Sequence, residues 1–448
     1  MKLPASPRPW SLLLASLALR SSPVLAHAGL PETSSITLRR GQPADLIAGA
    51  TFGAVVSRDG GRNWRWICPE SMGYVGAGPS AWLWLSSGEL LAATGSALIR
   101  SSDGGCTWQP LDFFTSQGLW PSDVASPSSE EGRLWVTTGR ASVPNGLYRS
   151  DDGGASFTAT PLQRSDAVFT AVRVAPSEPR RLYVSGATSS GPRLYRSDDE
   201  GLTWEELPQP LSLYSSPSEI RLQKVDDADP DHLWVSLLSR GFTYVLESRD
   251  GGHTLQEVLK LDEPLVNVEA SADGRTFWAA SITRLFQLQA GTAPVPLSLP
   301  DGNACVRREG SFLYACGSSW VHGWALARSR DQGRTWTRLL SLPELRGVLD
   351  CPAGTPTHDV CSPRWPQLAE TLGASSQPPD AGTSAPVPDA GTPGSAEDAG
   401  TSAPGPDAGT PGGSPPPPPA AGCSTTGGLL SLASLLTLTA LWRSRRRA

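Results

Sequence analysis

Short apolar stretches separated by turn formers recur through residues 36–345. In Phe169-Thr170-Ala171-Val172-Arg173-Val174 polar residues interrupt the apolar ones, Pro176-Ser177-Glu178-Pro179 turns the chain, and Arg181-Leu182-Tyr183-Val184-Ser185-Gly186 follows. β-Branched and aromatic residues held between turn signals predict a strand hairpin. Leu134-Trp135-Val136, Leu233-Trp234-Val235 and Phe312-Leu313-Tyr314 occupy the same second-strand position further along. The two ends follow another pattern. Trp10 to Leu19 is apolar apart from two Ser, Gly427 to Trp442 is interrupted only by Ser and Thr, and between residues 373 and 422 Val387 is the one large apolar side chain.

A repeated turn organises the strand-rich part. Ser57-Arg58-Asp59-Gly60-Gly61-Arg62-Asn63-Trp64 returns around Asp103 and Trp108, Asp152 and Phe157, Asp199 and Trp204, Asp250, and Asp331 and Trp336. The Asp intervals are 44, 49, 47, 51 and 81, the last nearly two units long. Inside that gap Arg284-Leu285-Phe286-Gln287-Leu288 imitates Arg193-Leu194-Tyr195-Arg196-Ser197, with its turn reduced to Gln289-Ala290-Gly291. Seven units follow, the sixth without its motif. The chemistry accounts for the residue types: Asp accepts backbone N–H groups of its own turn, Gly supplies positive φ, and the aromatic ring packs between sheets. Four strands repeated seven times predict an all-β, seven-bladed β-propeller with four-stranded blades.

Ser-x-Asp-x-Gly-x-Thr-Trp resembles the Asp-box, or bacterial neuraminidase repeat. In that family the motif links the third and fourth strands of a blade, so Asp59, Asp103, Asp152, Asp199, Asp250 and Asp331 are expected to be structural. Sialidases carry an Arg-Ile-Pro motif that this chain lacks, and Arg39-Arg40-Gly41 departs from it entirely. The array is more similar to the seven-bladed Asp-box propellers of photosystem assembly factors, sortilin-type receptors and xyloglucanase-type glycosidases. That resemblance implies a ligand at the channel mouth or loops.

The ends read as addresses. Lys2 and Arg8 precede the first apolar run, and Ala26-His27-Ala28 ends it, as in a secretory signal cleaved after Ala28. The second run is followed by Arg443-Ser444-Arg445-Arg446-Arg447 and preceded by Cys423 among small residues. This arrangement resembles the C-terminal sorting tail of myxobacterial surface proteins, which implies processing and lipid attachment at Cys423. A plain single-pass anchor is the other reading, and both place the propeller outside the inner membrane. Between them, Asp-Ala-Gly-Thr begins at Asp380, Asp389, Asp398 and Asp407, in a Pro/Gly/Ala linker too polar to form a core. The expected organisation is a signal peptide at 1–28, the propeller at 29–350, a disulfide-bearing extension at 351–372, a disordered linker at 373–422 and a tail at 423–448.

Composition narrows the function. With 46 Gly and 42 Pro a helical bundle is excluded, 39% hydrophobic residues exclude disorder throughout, and a net charge of −6 removes the electrostatic footprint of a nucleic-acid binder. Setting Cys423 aside leaves six cysteines, an even number suited to an oxidising compartment. Of fifteen possible connectivities, Cys351 with Cys361 across a loop, Cys305 with Cys316 across a hairpin, and Cys68 with Cys106 are expected. No Cys-x-x-Cys occurs and the histidines are scattered, so no metal or cofactor is expected. Asp123, Asp166 and Glu219 are each expected to precede the first strand of consecutive units and to converge at one mouth of the channel. The expected function is a secreted, surface-anchored, non-catalytic binding or scaffold module whose ligand is an unidentified protein or extracellular glycan. It would meet the export and sorting machinery and the membrane through its tail. The alternative is a glycoside hydrolase using a pair of those carboxylates.

Overall fold

The computed structural model describes residues 31–376, apart from 77, 209–212, 290 and 298–304. The expected signal sequence with its cleavage at Ala28, the linker beyond 376 and the tail with Cys423 lie outside the described residues. The strands form seven sheets of four, each built from consecutive antiparallel strands. In chain order the blades span residues 33–67, 81–110, 121–164, 167–206, 217–261, 265–297 and 305–340. The innermost strand of every blade lines one central cavity, so the sheets close as a seven-bladed propeller.

Burial explains why the ring forms. The apolar core is divided into seven clusters, one at each interface between neighbouring blades. A single four-stranded sheet cannot hide both faces, so each blade depends on its neighbours. Trp64, Trp84, Trp135 and Trp234 are fully buried at these interfaces. Removing such a ring from water is worth about 4–6 kcal/mol of gross transfer energy.

The repeated turn joins third and fourth strands. Ser57 Oγ donates to Asp59 Oδ1 at 2.9 Å and accepts from Gly61 N, while Asn63 N donates to the same carboxylate oxygen at 2.9 Å. The pattern repeats at Asp103, Asp152, Asp199, Asp250 and Asp331. Hydrogen bonds from Thr203 and Thr335 pull Asp199 and Asp331 down to about 2. With their oxygens filled from within the turn, these carboxylates have little left for a ligand. Trp64 then reaches sideways, donating Nε1–H to Gly61 O and to Leu339 O of the seventh blade at 3.0 Å.

Ring closure uses no exchanged strand, since the first four and last four strands each complete their own sheet. Instead the chain leaving the seventh blade runs along the outer edge of the first. Arg346 N donates to Trp64 O, Trp66 N to Gly347 O and Leu349 N to Trp66 O, with a parallel bridge between Trp66 and Val348. Helices Pro356–Cys361 and Trp365–Leu372 follow, and Trp365 packs into the cluster between the first and seventh blades. Cys305–Cys316 forms across its hairpin as expected. The other two pairings are corrected: Cys68 joins Cys361 and Cys106 joins Cys351. The extension crosses blades one and two, so its cysteines meet those blades before they can meet each other.

Candidate functional site

In an antiparallel blade the turn between second and third strands lies at the same end as the connection between blades. The repeated Asp turns therefore occupy the opposite face. Seven of the nine large apolar side chains exposed among the described residues fall on the first of these faces. Val75, Trp120 and Leu213 lie on connections between blades, and Phe242, Ile282, Trp320 and Val321 at second-to-third turns. Arg140 lies over the Trp120 ring at 5.0 Å and Lys260 over the Phe242 ring at 4.3 Å, bracing each from one side. Trp120, Phe242 and Trp320 thus lie on three different sectors of one face, each with ring surface open to solvent.

The structure places the three sequence-predicted carboxylates in different settings. Asp123 lies within its innermost strand, Pro121–Ala125, is 3% exposed and lines the channel. Its Oδ2 accepts from Val172 N at 3.1 Å and from Arg173 Nη1 at 2.5 Å, tying blade three to blade four. Asp166 is exposed just before the strand Ala167–Val174 and pairs with Arg164 at 3.0 Å. That hydrogen bond holds the Asp166 carboxyl below its ordinary value. Glu219 is half-buried in the strand Pro217–Val225, and its carboxylate makes no hydrogen bond or ion pair among the described residues. Only Asp123 lines the channel, and the expected convergence of all three is corrected. Register shifts lie beside Asp123 and Glu219 in their strands, whereas Asp166 precedes its strand.

The channel has a volume of about 650 Å³. Its charged lining is Arg40, Arg173, Arg221, Lys224 and Arg307 against Asp123 and Glu269. Glu269, 3% exposed, is held by Arg307 at 2.9 Å and Lys224 at 3.7 Å. Lys224 also pairs with Asp227 at 2.8 Å, and Arg40 with Glu131 at 3.5 Å. Burial lowers the Arg40 guanidinium, and Arg307 adds repulsion to the same effect. Sequence reasoning missed these side chains. The available signal was one charged residue inside an apolar first strand, as in Val172-Arg173-Val174, Val268-Glu269-Ala270 and Val306-Arg307. Among the described residues no group of three or more His, Cys, Asp or Glu is placed to hold a metal.

No family model matches the chain. In sequence it is similar to a xyloglucanase of a Paenibacillus species, 25% identical over 233 residues, covering 46% of this chain and 22% of that protein. A xyloglucanase of Hypocrea jecorina is 27% identical over 143 residues, covering 26% and 17% respectively. One from Acetivibrio thermocellus is 26% identical over 194 residues, covering 37% and 23%. The matched stretch thus spans less than a quarter of each of these relatives. Among solved structures, a puromycin-hydrolysing peptidase of Mycobacterium tuberculosis has a TM-score of 0.49 at 14% identity, over 72% of this chain and 54% of that one. YCF48 from Cyanidioschyzon merolae has a TM-score of 0.45 at 14% identity, over 66% and 94%. A GH74 enzyme of Niastella koreensis has a TM-score of 0.42 at 16% identity, over 68% and 65%. At such identities and scores the structural likenesses say nothing about activity. The sequence relatives do correct one expectation. They are xyloglucanases, which overturns the non-catalytic binding or scaffold module and fits the glycoside hydrolase alternative better.

Proposed function

We propose that this chain is a secreted glycoside hydrolase that cleaves a β-linked glucan of the xyloglucan type on the face carrying the exposed aromatic rings. The observation that carries the reading is sequence similarity to xyloglucanases across nearly half of the chain. Trp120, Phe242 and Trp320 on that face suit the apolar faces of sugar rings. Glycoside hydrolysis needs one carboxyl group to protonate the leaving oxygen and a second to act as base or nucleophile. Asp166, held below its ordinary value by the hydrogen bond from Arg164, suits the second role, and Glu219, on the innermost strand of the next blade, is assigned the first. Asp123 is left as an anchor for Arg173. Three disulfides support an oxidising compartment, in keeping with export and surface anchoring through Cys423. The repeated turns support placing the blades among Asp-box propellers, and the tail supports a myxobacterial-type sorting signal.

The test is release of reducing ends from xyloglucan by the purified full-length chain. Glu219→Gln is expected to lower the rate by at least about a hundredfold, and Asp166→Asn similarly, since removing a proton-transfer group alone costs about 10²–10⁴. Wild-type protein that releases no reducing ends from xyloglucan, or a Glu219→Gln variant as fast as wild type, refutes the proposal.

A further inference from the structure

The channel wall carries five cationic side chains and two carboxylates, in a chain whose overall charge is −6. Pairing does not cancel that excess. Asp123 is committed to Arg173, which also donates to Gln223 O and Val172 O. Glu269 is shared between Arg307 and Lys224. Arg40 has Glu131, and Asp227 sits between Lys224 and Arg308. Arg221 remains. It projects from the innermost strand of blade five, lines the channel, and its guanidinium has no hydrogen bond or ion pair among the described residues.

An unmatched guanidinium in a narrow channel is costly to keep without a purpose. Neighbouring cations repel it, and low-dielectric walls focus their field instead of letting water screen it. The same arrangement raises the local concentration of an anion. A guanidinium fork offers two parallel N–H donors, the geometry that a carboxylate accepts. The rest of the lining narrows the ligand further. Hydroxyls of Ser34, Ser35 and Ser80 and the indole of Trp82 share the channel, and its volume of about 650 Å³ lies in the range of ligand pockets, about 300–1,000 Å³.

We infer that the central channel is a binding site for the carboxylate of an acidic sugar, a uronate unit of an extracellular polysaccharide, with Arg221 as its carboxylate fork. The choice of a sugar acid over other anions rests on the proposed glycan-handling function. The anion site itself rests only on the charge arrangement. The carboxylate meets Arg221, with Arg40 and Arg307 adding to the attracting field, while ring hydroxyls face the Ser side chains. Arg40, Ser126, Pro127 and Pro176, on first-to-second turns, line the same cavity, so it opens toward the face of the repeated Asp turns, and uronate binding there is a glycan contact separate from the face on which a glucan backbone is cut.

Titration calorimetry with the full-length chain tests this without any turnover, so failure of hydrolysis and failure of binding are read separately. The probes are trigalacturonate, the neutral cellotriose and triglutamate. Trigalacturonate is expected to bind at least tenfold more tightly than cellotriose and more tightly than triglutamate. Arg221→Gln should remove at least tenfold of the trigalacturonate affinity at an unchanged melting temperature, and Arg221→Lys should fall between. Equal binding of trigalacturonate and cellotriose overturns the anion site, as does an Arg221→Gln variant of native stability and unchanged affinity. Triglutamate binding as tightly as trigalacturonate overturns the assignment to a sugar and makes the channel a peptide site. Should Arg221→Gln fail to fold, the wild-type salt dependence decides. Trigalacturonate affinity must fall several-fold between about 50 and about 200 mM NaCl, and a flat profile refutes the site.

Discussion

Cutting the Cys106–Cys351 bridge tests how the ring is held shut. The two bridges of the extension span 293 and 245 residues, far more than the 11 of Cys305–Cys316. In the chain-entropy account a bridge stabilises by shrinking the unfolded ensemble, and the gain grows with the logarithm of loop length. For the pair Cys106→Ala with Cys351→Ala the relevant loop is not the full one, because Cys68–Cys361 already ties the chain nearby. The remaining circuit runs through residues 68–106 and 351–361, roughly fifty residues, worth about 4 kcal/mol. At about 2 °C per kcal/mol for a large domain, the midpoint of thermal unfolding should drop by about 8 °C. Removing Cys68 and Cys361 as well adds nearly 6 kcal/mol, about 10 in all. That is comparable with the whole stability of a typical domain, about 5–15 kcal/mol. Cleavage by protease should then begin between residues 341 and 372, where the extension leaves the edge of the first blade. The assay is differential scanning calorimetry without reductant, with peptide mapping of the intact bridges. A midpoint within about 2 °C of wild type for the four-cysteine variant would show that the clasp does not hold the ring. A mapped Cys351–Cys361 peptide would refute the geometry outright.

Three further outcomes follow from packing and charge. Trp64→Ala empties the interface between blades one and seven, and should cost about 3–5 kcal/mol by urea unfolding; a loss below 1 kcal/mol would contradict its place there. Gly53 has φ +122° and an added Cβ would lie 2.2 Å from Ile67 O, so Gly53→Ala should fail to give folded protein, and a native circular dichroism spectrum would refute this. Burial pulls His232 down, but the Asp226 carboxylate at 3.6 Å and the hydrogen bond with Glu247 at 2.6 Å outweigh it and hold the imidazole above 6.5. The same contacts hold Asp226 and Glu247 below their ordinary values despite burial. The histidine's contribution to stability is therefore full below about pH 6.5 and lost as pH rises through the raised value, whereas the acids' contribution is lost as pH falls through their lowered ones. Thermal midpoints should peak in mildly acidic buffer and decline above neutrality, and His232→Gln should flatten the alkaline decline; a wild-type midpoint still rising from pH 6 to pH 9 would refute the assignment.

The blades were legible in the sequence because their determinants are local. Ser57, Asp59 and Gly61 close a turn within five residues, and the same chemistry recurs wherever the motif recurs. Blade six shows the limit of that rule: its turn is degraded, yet its four strands pair as the others do, since the interfaces on either side still require a sheet. Local spacing misled where the partner lay across the ring. Cys351 and Cys361 are near each other in sequence, but the extension lies along blade one, and Cys68 and Cys106 are nearer in space. Asp123 reads in sequence as an acid at the channel mouth, and the bond that fixes its role comes from Arg173 of the next blade.

The channel was the least legible part, for a reason that also argues where this protein's specificity resides. Repetition conserves what every blade needs, namely the turn and the interface ring, and it says nothing about side chains that face the axis. Thr137, Ser185 and Ser236 occupy one station on the second strands of blades three, four and five, following Leu134-Trp135-Val136, Leu182-Tyr183-Val184 and Leu233-Trp234-Val235. Their partners on the innermost strands are Asp123, Ala171 and Arg221. A small hydroxyl residue is kept on the inner sheet while the neighbouring strand changes from acid to methyl to guanidinium. Drift at a solvent-facing position would leave those charges independent of one another. Instead Asp123 is satisfied by blade four, Glu269 by blades five and seven, and Arg221 is the cation left over. The blades are alike in what holds them together and unlike in what they present to the axis, so a ligand that reads this propeller through its channel reads the positions where the repeat is broken.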